Sequence, residues 1–399
     1  MSTICLRTLW SAIRATYAPR LLKRLDVELE DGPMPEHSFL LVSDHSNTLD
    51  PYVLGCLSPR PIRFMANLEG VHPAKAALAG LFGAFGRRKG MNDLKALRRT
   101  IAIARGGDSI GIFPEGDRSW DGAGAPIRPG IGRLAKKLGL PLLIARQKGN
   151  YLAMPRWAKR PRRGPWSVEL LRYDADEVAA LSDGLLDAVV ARALSKDEVK
   201  DSAREGRIFS GEGLAEGVER LLWRCPICGS TDAIRGRGDE ISCGECGAAW
   251  RVDGNLRIRP LRSPAADAAS PASAFADLKD WNDWQVSTLP SFFGPTPGRQ
   301  VFRSLRVALS ELRNGRRILL GRGSLSLAGG ELRFEAKAAR RAFEAARVRG
   351  FIDNFNSWCE FSAEGSRWVL EFDGGNASKW AYALALHVSG AAKGEGAAA

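Results

Sequence analysis

The chain of 399 residues contains no apolar run that approaches the roughly 18 consecutive residues needed to span a bilayer. Its longest candidate, residues 74–85, is short and broken by Gly80 and Gly83. The first 25 residues also lack a clean apolar core followed by a small-residue cleavage site, so no secretory leader is expected. The Ser-centred Gly-x-Ser-x-Gly elbow of covalent acyl enzymes is missing, and no internal repeat is visible. Acidic residues are outnumbered, with 58 Lys and Arg against 45 Asp and Glu, leaving a net charge of +13. The chain is therefore expected to have no spanning helix and at most to lie on a membrane. The basic surplus favours an anionic lipid, a nucleic acid or an acidic carrier as partner and says nothing about fold. At 45% hydrophobic and 26% charged residues, the composition is that of an ordinary folded chain. The expected location is cytoplasmic, peripheral on the inner face of a membrane.

Organisation follows from periodicity. Residues 1–25 carry Leu6, Leu9, Trp10, Ile13, Tyr17 and Leu21 at helical spacing, with Arg7, Arg14, Arg20, Lys23 and Arg24 at mostly other positions. This reads as an amphipathic N-terminal helix, kinked or interrupted at Pro19, which either lies on a membrane or packs on the following domain. From residue 26 to 175, short apolar runs (38–42, 62–66, 109–113, 141–145, 167–171) alternate with helix-like stretches (51–57, 74–85, 94–105, 130–138). That alternation predicts an α/β domain with a mainly buried sheet flanked by helices. Residues 176–223 read as a helical connection, with a break at 206–212. A small cysteine module occupies 224–260, an Ala/Ser/Pro-rich linker 261–299, a mostly β domain 300–390 and a disordered tail 391–399. Strands are expected in the last domain at 317–320, 324–328, 331–335, 358–362 and 368–372, followed by a helix over 377–388.

Four of the seven cysteines form two knuckles, Cys225-Pro-Ile-Cys228-Gly229 and Cys243-Gly-Glu-Cys246-Gly247. Each Cys-x-x-Cys turn presents two thiolates to one ion, and four thiolates suit tetrahedral Zn²⁺ in a closed structural site. A redox pair is the alternative. Between the knuckles, Arg235 and Arg237 are offset by Asp232, Asp239 and Glu240, so the module has no basic face and no nucleic-acid partner is expected. It reads as a zinc ribbon stapling a segment too small for its own core.

Two segments carry candidate chemistry. In Asp44-His45-Ser46-Asn47-Thr48-Leu49-Asp50-Pro51, an apolar run ends and Pro51 can open a helix, placing His45 on a strand-to-helix loop. Asp50 can fold back on the imidazole to fix its tautomer, or it can simply cap the helix. In Phe113-Pro114-Glu115-Gly116-Asp117-Arg118-Ser119, a turn follows an apolar run and Arg118 can hold a phosphate through a forked contact, or be solvated. The basic run Arg156, Lys159, Arg160, Arg162 and Arg163, with Trp157 and Trp166, reads as a contact for anionic headgroups or an acidic carrier.

Taken together and in order, these two segments resemble the glycerolipid acyltransferase family, which includes the lysophosphatidic acid and glycerol-3-phosphate acyltransferases. The resemblance extends through residues 80–90, 126–135 and 140–142 and covers about residues 30–172. It implies transfer of a fatty acyl group from acyl-CoA or acyl carrier protein to the hydroxyl of a lysophospholipid, with 1-acyl-glycerol-3-phosphate favoured. It implies His45 as general base, Asp50 as its orienting acid, Glu115, Gly116 and Arg118 shaping the acceptor site, and Arg88 or Lys89 as a further basic contact. Asp117 stands where the family usually has Thr, and Asp44 where Asn is common. Asp117 sets a negative charge beside the implied phosphate site. Other lyso-lipids, glycerol-3-phosphate, or a non-catalytic lipid-binding scaffold are the alternatives. The C-terminal pattern, with Trp380 in its last helix, resembles pleckstrin-homology or GRAM domains, which bind acidic phospholipids or proteins.

Overall fold

The short apolar runs near residues 40, 62, 110 and 142 become neighbouring strands in the computed structural model. It describes residues 3–66, 79–80, 83–86, 94–262, 274–292, 302–313, 316–354, 358–373 and 377–395. The chain divides into two compact units, the first of residues 1–156 and 161–211, the second of residues 157–160 and 212–399.

In the first unit, helix α1 (Thr3–Leu25) precedes strand β1 (Val27–Leu29). Strand β2 (Leu40–Ser43) leads into helix α2 (Asp50–Leu57), and β3 (Ile62–Ala66) and β4 (Phe85–Gly86) follow. Helix α3 (Leu94–Arg105), strand β5 (Ser109–Ile112), helix α4 (Ile131–Leu138) and strand β6 (Leu142–Lys148) come next. The unit closes with α5 (Asn150–Ala153), β7 (Trp166–Tyr173), α6 (Ala175–Ala180), α7 (Asp183–Leu194) and α8 (Glu198–Arg204). The sheet runs β1-β7-β6-β2-β5-β3-β4. Every described pair in it is parallel except β6/β7. Strands β2 and β5 are buried along their whole length, as central parallel strands covered on both faces must be. Leu40, Val42, Ile110, Ile112, Leu142 and Ile144 pack with Ile131 and Ala135 of α4 and Leu186 and Val190 of α7.

Helix α1 continues through Pro19, so of the expected kink or interruption the latter does not occur. It is anchored by Trp10, which is buried and donates its indole N–H to the Ser58 carbonyl at 3.4 Å. Tyr17 on the expected apolar stripe is exposed. Packing on the unit therefore explains only part of that stripe. The expected helix at 74–85 lies mostly outside the described residues.

In the second unit a 3-10 turn, Val218–Arg220, precedes the cysteine module. Apart from that turn, residues 205–223 are not helical, because Gly206, Gly213 and Gly217 all take left-handed φ angles. The cysteine module is a four-stranded antiparallel sheet of β8 (Ile234–Arg237), β9 (Glu240–Cys243), β10 (Ala249–Val252) and β11 (Ile258–Arg262), in the order β11-β10-β9-β8. Residues 278–292, expected in a linker, instead form helices α9 (Leu278–Ser287) and α10 (Leu289–Phe292). The reason is burial. Trp281 packs edge-on against Trp250 at 4.7 Å and donates to the Arg224 carbonyl at 2.9 Å, and Gln285 accepts the Trp223 N–H at 2.9 Å.

The C-terminal region is a seven-stranded antiparallel sheet: β12 (Phe302–Arg313), β13 (Arg316–Ala328), β14 (Glu331–Ala336), β15 (Ala339–Glu344), β16 (Arg349–Asn354), β17 (Trp358–Ala363) and β18 (Ser366–Phe372). Its order is β15-β14-β13-β12-β18-β17-β16. The two strands expected at 317–320 and 324–328 are one, because the intervening Gly323 sits where a side chain would meet the Glu335 carbonyl at 1.9 Å. Helix α11 (Ala377–Glu395) follows, running into the segment expected to be a tail. Buried Trp380 joins Leu309, Leu325, Phe361 and Phe372 in one core.

Candidate active site

Parallel pairing sets where the two motifs meet. Strands β2 and β5 are paired Leu40 to Ile110 and Val42 to Ile112, so residues 44–50 and 113–119 emerge side by side at the carboxyl ends of the strands. Strand β6, on the other side of β2, delivers Gly149 and Asn150 to the same edge. The two loops are clamped reciprocally: Ser119 N–H donates to the His45 carbonyl at 2.8 Å, and His45 N–H donates to Glu115 Oε1 at 3.2 Å.

His45 Nδ1 lies 2.8 Å from Asp50 Oδ2. Asp50 is fully buried and does not cap α2, whose N-cap is Leu49 without a side-chain bond. The carboxylate turns back on its own loop, taking the N–H groups of Ser46 and Asn47 at 2.8 Å each on Oδ2, and Asn150 Nδ2 at 3.1 Å on Oδ1. With Nδ1 engaged, Nε2 is the imidazole nitrogen facing away from Asp50. The ring stacks on Phe113 with centroids 4.1 Å apart, and Phe113 stacks in turn near Phe64 at 5.5 Å. The His45 side chain retains 20% exposure, enough to be reached from solvent.

Glu115 is buried, and its carboxyl also takes the Ala125 N–H at 3.4 Å. Burial and the neighbouring Asp44 push its pKa up to about 8, against the lowering pull of Lys196 and the His45 and Ala125 N–H groups. Near neutral pH the uncharged acid is therefore the main form, and it can offer an O–H. Gly116 has a φ of +79°, and a Cβ there would meet Arg128 Nε at 2.9 Å, so glycine allows the Arg128 guanidinium to lie against this loop. Arg118 reaches across to Thr48 Oγ1 at 2.7 Å, tying the two motifs through side chains as well. Arg88 and Lys89 lie outside the described residues.

The negative charge of Asp117 is answered by Arg156, whose Nη1 stands 3.3 Å from Asp117 Oδ1 and donates to the Arg118 carbonyl at 2.8 Å. The same guanidinium lies over Trp120, 4.2 Å from the ring centroid. This corrects the reading of residues 156–166 as a headgroup-binding surface. Arg156 and Arg162 are buried, and Trp157 and Trp166 have no exposed surface. Lys159, Arg160 and Arg163 remain as its exposed basic residues.

Sequence reasoning missed the polar layer behind the dyad. Asn150, Lys196 and Glu198 are all buried there beside Asp44. The local signal for Asn150 is faint, a polar residue just after a buried parallel strand. Lys196 lies between α7 and α8 and Glu198 opens α8, in a segment read only as a connection, and nothing in their neighbours announces a role.

The cysteine module has its own geometry. The Gly229 N–H bonds the Cys225 carbonyl and the Gly247 N–H bonds the Cys243 carbonyl, each at 3.0 Å, so the two knuckles share one turn. All four sulfurs lie within 4.8 Å of one another, and Cys225/Cys246 and Cys228/Cys243 are each 3.8 Å apart. A tetrahedral ion with Zn–S bonds of about 2.3 Å requires sulfurs roughly 3.8 Å apart. These four cysteines can therefore hold such a metal.

Residues 24–144 match the family model described as acyltransferase. A chloroplastic 1-acyl-sn-glycerol-3-phosphate acyltransferase of Brassica napus is 28% identical over 140 residues, covering 32% of this chain and 38% of that protein. The chain thus spans less than two fifths of the curated relative it matches. The crystal structure of the 1-acyl-sn-glycerophosphate acyltransferase of Thermotoga maritima is similar with a TM-score of 0.40 and 21% identity, over 49% of this chain and 79% of that one. Over residues 24–144, the chain carries an acyltransferase-family domain.

Proposed function

We propose that this protein is an O-acyltransferase that moves a fatty acyl group from a thioester donor, acyl-CoA or acyl carrier protein, to the hydroxyl of a lysophospholipid. The favoured acceptor is 1-acyl-glycerol-3-phosphate, which would yield phosphatidic acid. The observation that carries the reading is the 2.8 Å contact of His45 Nδ1 with buried Asp50, set against Glu115 and close to Arg118. The name of the Brassica relative supports the choice of acceptor.

In this reading His45 Nε2 takes the proton of the acceptor hydroxyl as its oxygen attacks the thioester carbonyl. Asp50 holds the Nδ1–H tautomer beforehand and stabilises the imidazolium afterwards. The tetrahedral oxyanion then collapses, the C–S bond breaks, and the thiolate leaves with the proton from His45. No covalent acyl-enzyme is formed. Arg118 binds the acceptor phosphate, with Arg88 or Lys89 as a further cation. Asp117, neutralised by Arg156, does not repel that phosphate, and neither does Glu115 in its uncharged form. Gly116 gives the loop the conformation that places Arg118.

Cys225, Cys228, Cys243 and Cys246 would hold a structural Zn²⁺, which when bound cross-links the two knuckles. The protein works at an anionic membrane surface, on its cytoplasmic side. Among the described residues no helix is long and apolar enough to cross a bilayer. Arg14, Arg20, Lys23 and Arg24 are exposed along α1, which suits a peripheral contact. The C-terminal sheet with its closing helix is proposed as a pleckstrin-homology-like module.

The test offers purified protein lysophosphatidic acid, glycerol-3-phosphate or lysophosphatidylcholine in vesicles, each with acyl-CoA and with acyl carrier protein. Wild type is compared with His45→Ala. His45-dependent acylation of lysophosphatidic acid is expected. Equal turnover by the variant would sink the mechanism, and vesicle binding without product from any acceptor would favour a scaffold.

A further inference from the structure

Behind the dyad lies a buried chain of polar groups that the proposed reaction does not use directly. The Lys196 ammonium sits 2.7 Å from Asp44 Oδ2, 2.7 Å from Asn150 Oδ1, 2.8 Å from the Gln147 carbonyl and 3.1 Å from Glu198 Oε2. The Lys196 side chain is only 2% exposed. Burial alone would push its pKa down, but Asp44 and Glu198 together outweigh it and hold the ammonium above the ordinary lysine value. The cation is thus retained in a site closed to water.

An ammonium has three protons and no lone pair, so it can only donate. Facing Asn150, it accepts just one orientation of the amide, with Oδ1 towards Lys196. Asn150 Nδ2 must then point the other way, and there it meets Asp50 Oδ1 at 3.1 Å and Asp44 Oδ2 at 3.2 Å. Reversing the amide would set Nδ2 against the ammonium and Oδ1 against two carboxylates. The remaining groups fix the frame. Gln147 N–H holds Asp44 Oδ1 at 2.7 Å, the Gly149 N–H bonds Glu198 Oε1, and Ser202 Oγ bonds that same oxygen at 3.2 Å.

We propose that Lys196 is a positioning residue of the His45/Asp50 dyad: its ammonium orients the Asn150 amide, which holds Asp50 Oδ1 and so leaves Oδ2 aimed at His45 Nδ1. Asp44 and Glu198 keep that ammonium charged and in place. Lys196 thereby ties the segment between α7 and α8, outside the matched residues 24–144, to the centre of the acyltransferase domain. The catalytic consequence rests on the acyl-transfer reading, whereas the positioning itself does not.

Lys196→Met alone strands two buried carboxylates and can unfold the unit. The informative variant is the pair Lys196→Met/Glu198→Gln. The trio of Asp44, Lys196 and Glu198 carries one net negative charge in wild type, and the same one in this pair. The first readout is the downfield proton resonance of the hydrogen-bonded His45 Nδ1–H, assigned among the four histidines by its loss in His45→Ala. The second is kcat against KM for acyl transfer. We expect the resonance to shift upfield or vanish by exchange in the pair. The kcat should fall by about 10²-fold, the scale of a misplaced catalytic group, with KM near its wild-type value. A folded pair with wild-type resonance and wild-type kcat overturns the proposal. Should the pair not fold, Asn150→Ala cuts the same chain with Lys196 present, and a retained resonance there overturns it equally. If wild type transfers no acyl group, the acyl-transfer reading fails while the resonance still decides the role of Lys196.

Discussion

Asp50→Asn is the perturbation that separates a working dyad from a merely buried carboxylate. Asp50 Oδ2 receives three donors, from His45, Ser46 and Asn47, and Oδ1 receives the Asn150 amide. An asparagine there must keep its one oxygen on the side with three donors. Its own NH₂ then faces the NH₂ of Asn150, which cannot turn over while Lys196 donates to its oxygen. The substitution also removes the charge that stabilises an imidazolium. For charge centres about 4 Å apart at an effective dielectric of about 20, that interaction is worth roughly 4 kcal/mol, or a factor of about 10³ in rate. The expected result is therefore a kcat lower by about 10³ with KM nearly unchanged, because neither Asp50 oxygen faces the open side of the imidazole. Steady-state kinetics on vesicles measures both constants, with zinc content and far-ultraviolet circular dichroism as controls for an intact fold. A folded variant that loses less than about tenfold would refute the assignment of Asp50, whatever His45 does.

Glu115 has a pKa raised from 4.5 to about 8, so the folded chain keeps a proton that the unfolded chain has released across that window. Its contribution to stability is full below 4.5 and is lost as pH rises to about 8. Urea denaturation at several pH values should show this decline in wild type and a shallower one in Glu115→Gln; parallel slopes would refute it. Arg156→Met removes the guanidinium from beside Asp117, and should raise KM for a phosphate-bearing acceptor by about tenfold, equivalent to ~1.4 kcal/mol, with less effect on an acceptor lacking a free phosphate monoester. Cys228→Ser should lower metal content from one zinc per chain and destabilise the cysteine module, read by metal analysis and thermal melting; a metal-free parent chain would remove the idea. Gly149→Ala forces a side chain into a φ of +89° and within 2.1 Å of the Pro165 carbonyl. It should cost roughly 2–5 kcal/mol in chemical denaturation, and should lower kcat by displacing Asn150.

The residues legible in the sequence are those whose chemistry is local. A five-residue step from His45 to Asp50 can close on itself within one loop, and the two knuckles repeat one turn with their own glycines. Apolar runs marked the central strands for the same reason: β2 and β5 are short, buried and bounded by turn formers. What could not be read depends on contacts far apart in the chain. Trp281 converts part of an apparent linker into a helix by finding Trp250. Trp157 and Trp166 look interfacial beside their arginines but are buried, since amphipathic composition does not say which side of a surface it faces. Strand β12 went unpredicted because its pairing with β13 carries register shifts that break the alternation a half-buried strand would show.

Asp44 shows how a local departure can have a distant cause. Read within its own motif, an aspartate beside His45 adds negative charge next to Asp50 and Glu115 and counts against the site. In the fold that charge meets the ammonium of Lys196 at 2.7 Å, supplied from a segment 152 positions later in the chain. A buried carboxylate of this kind is tolerated only with a partner, and removal of the partner alone costs about 3–5 kcal/mol. The two residues therefore constrain each other. Asp44→Asn in this chain should not act as a return to the commoner residue. Its NH₂ would oppose the Asn150 NH₂ or the Gln147 N–H, whichever way it turned, and Lys196 would lose one of its two carboxylates. The expectation is a less stable and slower protein, measured by denaturation and kcat together. An Asp44→Asn variant as stable and as fast as wild type would show that the charge pair is dispensable, and that the dyad is held by the backbone N–H groups of its own loop.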